Sequence, residues 1–220
     1  MMKPEQLGIG MTSQRARNRL VAKLREMGIQ SESVLELIRT VPRHLFVDEA
    51  LSSRAYENTA LPIGHGQTIS QPFVVAQMTE TLLATGPLQT VLEIGAGCGY
   101  QSAILARLAN KVYAIERLAA LANKLRSRLH KLELNNIRVR HGDGRMGWPE
   151  MAPFDAILVA AAAVDVPQPL LSQLNIGGRL VIPVGSVGAQ DLMLLTRTND
   201  GFTEERLDRV SFVPLLEGTG

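Results

Sequence analysis

The chain has 220 residues, 45% of them hydrophobic and 20% charged, which excludes a disordered, collagenous or disulfide-framed protein. Lys and Arg outnumber Asp and Glu by 23 to 21, so a net charge of +2 gives no strong electrostatic case for nucleic acid or another polyanion. The single cysteine, Cys98, excludes an intrachain disulfide and a cysteine-rich zinc site, and His44, His65, His130 and His141 lack metal-ligand spacing, so no metal is expected.

Residues Met1 to Gly10 read as a loose leader with weak periodicity. Thr12 or Ser13 caps a helix running to about Met27, with Leu20, Val21, Leu24 and Met27 on one face and Gly28 at the stop. Ser31 or Ser33 opens a second helix through Val41, ended by Pro42. Pro42 to Pro72 shows no period and many turn residues, and so long a connection points to a functional loop. A helical pattern returns over Gln71 to Ala84. These parts make residues 11–85 a region of helices and an active-site loop.

After Gly86-Pro87 short apolar runs alternate with helices. Thr90–Ile94, Lys111–Ile115, Ile137–Arg140, Phe154–Ala160 and Arg179–Val184 read as buried strands. Gln101–Ala109, Leu118–Leu132 and Pro167–Leu174 read as the helices between them. Asp191–Arg197 and Arg206–Leu215 follow through Asn199-Asp200-Gly201 as a terminal antiparallel hairpin. The expected fold is a doubly wound α/β domain over residues 86–220, with a mostly parallel sheet of about seven strands. The longest apolar run, Ala156 to Val164, is about half of a bilayer span, and the start lacks the apolar stretch of a secretory signal. A cytoplasmic, monomeric protein without a membrane partner is expected.

The sharpest local signal is Glu93-Ile94-Gly95-Ala96-Gly97-Cys98-Gly99-Tyr100, a buried strand running into glycines that open a helix. Dinucleotide sites prefer G-x-G-x-x-G; here the third glycine falls one residue early, and Tyr100 takes the place of the dinucleotide glycine. No phosphate-binding G-x-x-x-x-G-K occurs. Further acids end the next two strands: Glu116, 23 residues after Glu93, and Asp143 in His141-Gly142-Asp143-Gly144. Open α/β sheets bind ligands at that strand edge.

Glu-x-Gly-x-Gly-x-Gly resembles the first motif of S-adenosylmethionine-dependent methyltransferases, whose cofactor has no phosphate for a carboxylate to repel. By that resemblance Glu93 helps hold the amino acid end, Gly95 and Gly97 clear space for it, Glu116 accepts the ribose hydroxyls and Asp143 the adenine amine. Ala96, Gly99, Arg117 and Gly144 complete the implied cofactor set. Cys98 reads as a small packing residue. After the fourth strand, Ala160 to Ala163 replace the amide and aromatic of nucleobase amine methylation.

Leu61-Pro62-Ile63-Gly64-His65-Gly66-Gln67-Thr68-Ile69-Ser70-Gln71-Pro72 resembles the signature of protein-L-isoaspartate O-methyltransferases. Val41–Val47, Gly177–Gly185 and Phe212–Leu215 extend the resemblance to nearly the whole chain from about Met11. Asn58 stands where many relatives have an acid, and Ala96 and Cys98 replace hydroxyl residues. The resemblance implies methyl transfer from S-adenosyl-L-methionine to the α-carboxylate of isoaspartyl proteins, with Ser70 catalytic and Thr68 and Ile69 beside the cofactor. It implies peptide contacts from Pro62, Ile63, Gly64, His65, Val213 and Pro214. Another methyl acceptor, or a non-catalytic descendant, is the alternative. Ser70 also reads as a helix N-cap, His65 as a loop-geometry residue rather than a base, and Arg43 as an ion-pair partner of Asp48 or Glu49.

Overall fold

The computed structural model describes Gly8 and residues 10–220; residues 1–7 and 9 of the expected leader lie outside the described residues. The chain divides into two compact units, one up to Glu80 and one of Thr81–Gly220.

In the first unit, α1 (Gln14–Glu26) and α2 (Glu32–Thr40) bury the apolar positions that define their periods. Leu20, Val21 and Leu24 are buried on α1, as are Val34, Leu35 and Ile38 on α2. Ser31 caps α2 by accepting from Val34 N, while Ser13 makes no capping bond at α1. The long stretch after Pro42 is not irregular throughout. It holds two 3-10 segments, Arg43–Phe46 and Glu49–Arg54, and a hairpin of β1 (Leu61–Gly64) and β2 (Gln67–Ile69). Helix α3 (Pro72–Leu83) follows, and the division between the units falls in its last turn.

In the second unit, β3 (Leu88–Ile94), β4 (Ala109–Glu116), β5 (Ile137–His141), β6 (Phe154–Val159), β7 (Leu174–Ser186), β8 (Ala189–Arg197) and β9 (Phe202–Val210) form one sheet in the order β5-β4-β3-β6-β7-β8-β9. Pairings from β5 through β7 are parallel, and β8 and β9 join antiparallel. The helices are α4 (Tyr100–Leu105), α5 (Ala119–Lys131) and α6 (Gln168–Ser172). Strand order reverses between β3 and β6, the switch point at which open sheets of this kind take ligands. Leu92, Ile94, Ile115, Ile157 and Leu180 pack in the core on one face, and Ala114 packs with Leu125 and Leu129 of α5 on the other.

The last strand runs over 202–210 rather than 206–215. Nearly every residue of β9 is exposed or half-exposed, so its pairing with β8, not an apolar period, sets its limits. Phe212–Leu215 leaves β9 and returns to the strand ends, where Pro214 bridges Ala162. Among the described residues, no helix is long and apolar enough to cross a membrane.

Candidate active site

The second unit places the glycine loop between β3 and α4. Gly99 sits at φ 89°, and a Cβ there would stand 2.3 Å from Leu125 Cδ1, so both its conformation and the packing of α5 require glycine. Gly95 N and Ala96 N donate to Ile115 O at 2.9 and 3.2 Å, and Gly97 N donates to Glu116 Oε2 at 2.7 Å. The loop is thereby fastened to the end of β4. Ala96 and Cys98 are buried and contribute packing, which agrees with their lack of hydroxyls.

Glu116 ends β4 with 5% of its surface exposed. Its second oxygen, Oε1, accepts from Leu118 N at 2.9 Å, so each carboxylate oxygen holds one backbone donor and keeps lone-pair capacity for another. Asp143 follows β5, with Oδ1 accepting from Arg145 N at 2.8 Å and Oδ2 from Gly218 N at 2.7 Å. The Arg117 carbonyl accepts from His141 Nε2 at 2.9 Å and from Gly220 N at 3.0 Å. The segment Gly218–Gly220 therefore lies along the same strand ends. Gly144 is buried, and a Cβ there would meet Ile94 Cγ2 at 2.3 Å.

Glu93 is fully buried on β3, opposite Ala114. Ser102 Oγ on α4 donates to its Oε2 at 2.5 Å, while Oε1 is buried without a hydrogen-bond partner. Burial pushes the Glu93 carboxyl up to about 8; the Ser102 hydrogen bond pulls it down, and the Glu116 charge adds a smaller upward push. The folded protein thus holds a proton on Glu93 that the unfolded chain releases near pH 4.5. Stability is expected to decline as pH rises from about 4.5 to about 8, by roughly a few kcal/mol, and then to level off. Urea midpoints measured across that range should show the decline in the parent and a flat profile in Glu93→Gln; equal slopes would remove Glu93 as its source.

The first unit builds the Ser70 region from different forces. His65 (φ 54°) and Gly66 (φ 68°) form the exposed tip of the β1–β2 hairpin, where a left-handed backbone is required. Pro62 pairs with Thr68 and both are exposed, while Ile63 and Ile69 face inward and are buried. Arg43 is fully buried: Nε donates to Ala55 O at 2.9 Å, and Nη2 donates to Ser70 O at 2.8 Å and Thr59 O at 3.4 Å. It pins the chain on both sides of the hairpin.

Ser70 is not the N-cap. Helix α3 starts at Pro72, and Asn58 Oδ1 reaches across to accept from Phe73 N at 2.9 Å. Ser70 Oγ makes no hydrogen bond among the described residues. In the second unit, Val213 O accepts from Ala162 N at 2.8 Å and Leu215 N donates to Ala162 O at 2.7 Å, which fixes the Val213-Pro214 backbone.

Arg43, Asn58, Ser102 and Gly218 are absent from the sequence-derived set. Nothing in the spacing of Arg43 or Asn58 foretells their partners 12 to 27 positions away. Ser102 had a usable signal, since the first turn of a helix entered through a glycine loop lies over the strand it leaves.

The sequence profile of the Protein-L-isoaspartate(D-aspartate) O-methyltransferase (PCMT) family matches residues 14–220. The chain belongs to this family. It is 61% identical over 208 residues to a protein-L-isoaspartate O-methyltransferase of Pseudomonas aeruginosa, covering 94% of this chain and 99% of that relative. Its fold matches a protein-L-isoaspartate O-methyltransferase structure with a TM-score of 0.82 at 26% identity, covering 90% of this chain and 65% of that one. A Plasmodium falciparum structure of a putative enzyme of the same name, in complex with S-adenosyl-L-homocysteine, matches with a TM-score of 0.79 at 26% identity over 91% of this chain and 98% of that one.

The residues at these strand ends fit the cofactor of a protein-L-isoaspartate O-methyltransferase, S-adenosyl-L-methionine. The three strand-end carboxyl groups Glu93, Glu116 and Asp143 offer hydrogen-bond acceptors to a ligand whose polar groups include hydroxyls, an aromatic amine and an ammonium. The unpartnered Glu93 Oε1 is a buried polar atom still to be satisfied. A pyrophosphate would meet the Glu116 and Asp143 carboxylates instead.

Proposed function

We infer that the chain transfers a methyl group from S-adenosyl-L-methionine to the free α-carboxylate of L-isoaspartyl residues in damaged proteins and peptides. The ester closes spontaneously to a succinimide, which reopens in part as normal aspartate. The observation that carries the reading is the array of acids at the ends of three adjacent strands, in a chain matched to the family over residues 14–220.

The residue roles follow from the chemistry each side chain has left to give. Glu116 accepts the ribose hydroxyls with the lone pairs that Gly97 N and Leu118 N leave free. Asp143 accepts the adenine amine, with Gly144 and Arg117 supplying backbone beside it. Glu93 stands under the amino acid end, and Gly95, Ala96, Gly97 and Gly99 shape the loop above it; Thr68 and Ile69 are cofactor residues by the family resemblance.

When bound, the cofactor supplies a methyl group on a sulfonium that leaves as a neutral thioether. The substrate carboxylate is ionised at neutral pH, so no base is needed and His65 has no proton to remove. The task of the chain is to orient that carboxylate and exclude water. The Ser70 hydroxyl, which makes no other hydrogen bond among the described residues, donates to one carboxylate oxygen and leaves the other to attack. Backbone groups of Pro62, Ile63, Gly64, His65, Val213 and Pro214 hold the peptide main chain, which tolerates varied flanking sequence. The protein acts in the cytoplasm as a monomer on polypeptide substrates, without nucleic acid.

Methyl transfer from labelled S-adenosyl-L-methionine to matched peptides tests the reading. Base-labile label is expected on the L-isoaspartyl peptide alone; equal label on the normal aspartyl peptide, or label on neither, would overturn it.

A further inference from the structure

The net charge of +2 hides a local concentration of cations on α1. Its thirteen residues carry Arg15, Arg17, Arg19, Lys23 and Arg25 against one acid, Glu26. Two of the five are accounted for. Arg17 is buried with its guanidinium 5.2 Å from the Tyr56 ring centroid, and Arg25 pairs with Glu32 at 2.9 Å. Arg15, Arg19 and Lys23 are exposed at i, i+4 and i+8, one ridge along the helix, and make no ion pair or hydrogen bond among the described residues.

Helix formation disfavours this arrangement. Like charges four residues apart repel, and Arg15 and Arg17 stand in the first turn, where the helix dipole favours acids and none is present. Helix α2 shows the ordinary pattern, with Glu32 in its first turn and Arg39 in its last. A local charge conflict retained on one helix points to a use for the charge.

The ridge borders a cavity of about 300 Å³ lined by Arg19, Lys23, Leu20, Tyr56, Glu57 and Asn58, among others. The acid in that lining, Glu57, is engaged by Arg54 Nε at 3.0 Å. The Arg17–Tyr56 stack holds α1 against the Tyr56–Asn58 segment, so the two walls are mutually anchored. Asn58 ties this cavity to the catalytic segment through Phe73 N, and Arg43 Nη2 joins the neighbouring Thr59 carbonyl to that of Ser70. Phe73 is three residues from Ser70, at most about 11 Å of chain, so the Asn58 wall of the cavity lies within the span of a few extended residues of a peptide held at Ser70.

We propose that Arg15, Arg19, Lys23 and this cavity bind an acidic side chain of the substrate polypeptide that flanks the isoaspartate. The proposal rests on the isoaspartyl methyltransferase reading and adds a preference in sequence that main-chain contacts alone would not give. Attraction between the ridge and a carboxylate strengthens binding and encounter, and salt screens it.

The test scans one glutamate through the positions flanking L-isoaspartate in an otherwise neutral peptide. At low ionic strength one register should lower KM about tenfold with little change in kcat. The gap should close in about 0.5 M salt and in the Arg19→Gln/Lys23→Gln double variant, whose exposed positions leave folding intact. Lys23→Glu should shift the preference toward the matching lysine peptide. The proposal is overturned if the neutral peptide is methylated but no glutamate register is preferred, or if the double variant keeps the preference. It is overturned in favour of a nucleic-acid surface if an oligonucleotide inhibits far more strongly than poly-glutamate at equal ionic strength, and the inhibition vanishes in the double variant. Failure to methylate any isoaspartyl peptide would instead bring down the underlying reading.

Discussion

Ser70→Ala is expected to lower kcat on an isoaspartyl peptide about a hundredfold, the order expected when an attacking oxygen loses the contact that orients it. The same substitution should leave cofactor affinity within a few fold and the melting temperature unchanged. The geometry separates these readouts. Asn58, not Ser70, caps α3, and the bond from Arg43 reaches the Ser70 carbonyl, which alanine retains. A structural role would therefore lower stability, and a role in cofactor binding would raise the dissociation constant. Ser70→Thr, which keeps the hydroxyl, should recover part of the rate. A fully active alanine variant would remove Ser70 from the mechanism.

Glu116→Ala should weaken binding of S-adenosyl-L-homocysteine by about 1–3 kcal/mol, the range for losing hydrogen bonds to a charged group. Two contributions are mixed in that figure, because Glu116 also accepts from Gly97 N and Leu118 N and so supports the loop. A cycle with the 2′-deoxyribose analogue separates them. If Glu116 accepts the ribose hydroxyls, the analogue loses affinity for the parent protein and little further affinity for the variant. Binding measured by calorimetry that is equally sensitive to the missing hydroxyl in both proteins would break the ribose assignment.

The parts of the fold visible in the sequence are those where burial imposes a period. The parallel strands β3, β4 and β6 are covered on both faces and read as continuous apolar runs, and α1, α2 and α5 show their buried stripes. The β1–β2 hairpin escapes such reading because its strands have only four and three residues and its tip is His65-Gly66 rather than a common hairpin pair. β9 escapes because its residues face solvent and its partner decides its length. The candidate site divides in the same way. Glu93, Glu116 and Asp143 are legible because acids stand at the ends of recognisable strands. Arg43 is not, since it works through carbonyls that only the folded chain brings to one guanidinium. The basic ridge is invisible to a charge count for a related reason: a sum over the whole chain cancels what one helix concentrates.

The fastening of the glycine loop to β4 bears on the rate of ligand capture. With Gly95 N and Ala96 N on Ile115 O and Gly97 N on Glu116 Oε2, this turn is ordered by bonds the chain makes to itself. Amides so bonded are shielded from solvent exchange, and a ligand held there has no slack backbone to order. Little conformational entropy remains to be lost at that step. Differences in affinity among related nucleosides then fall chiefly on how long each stays rather than on how often it arrives.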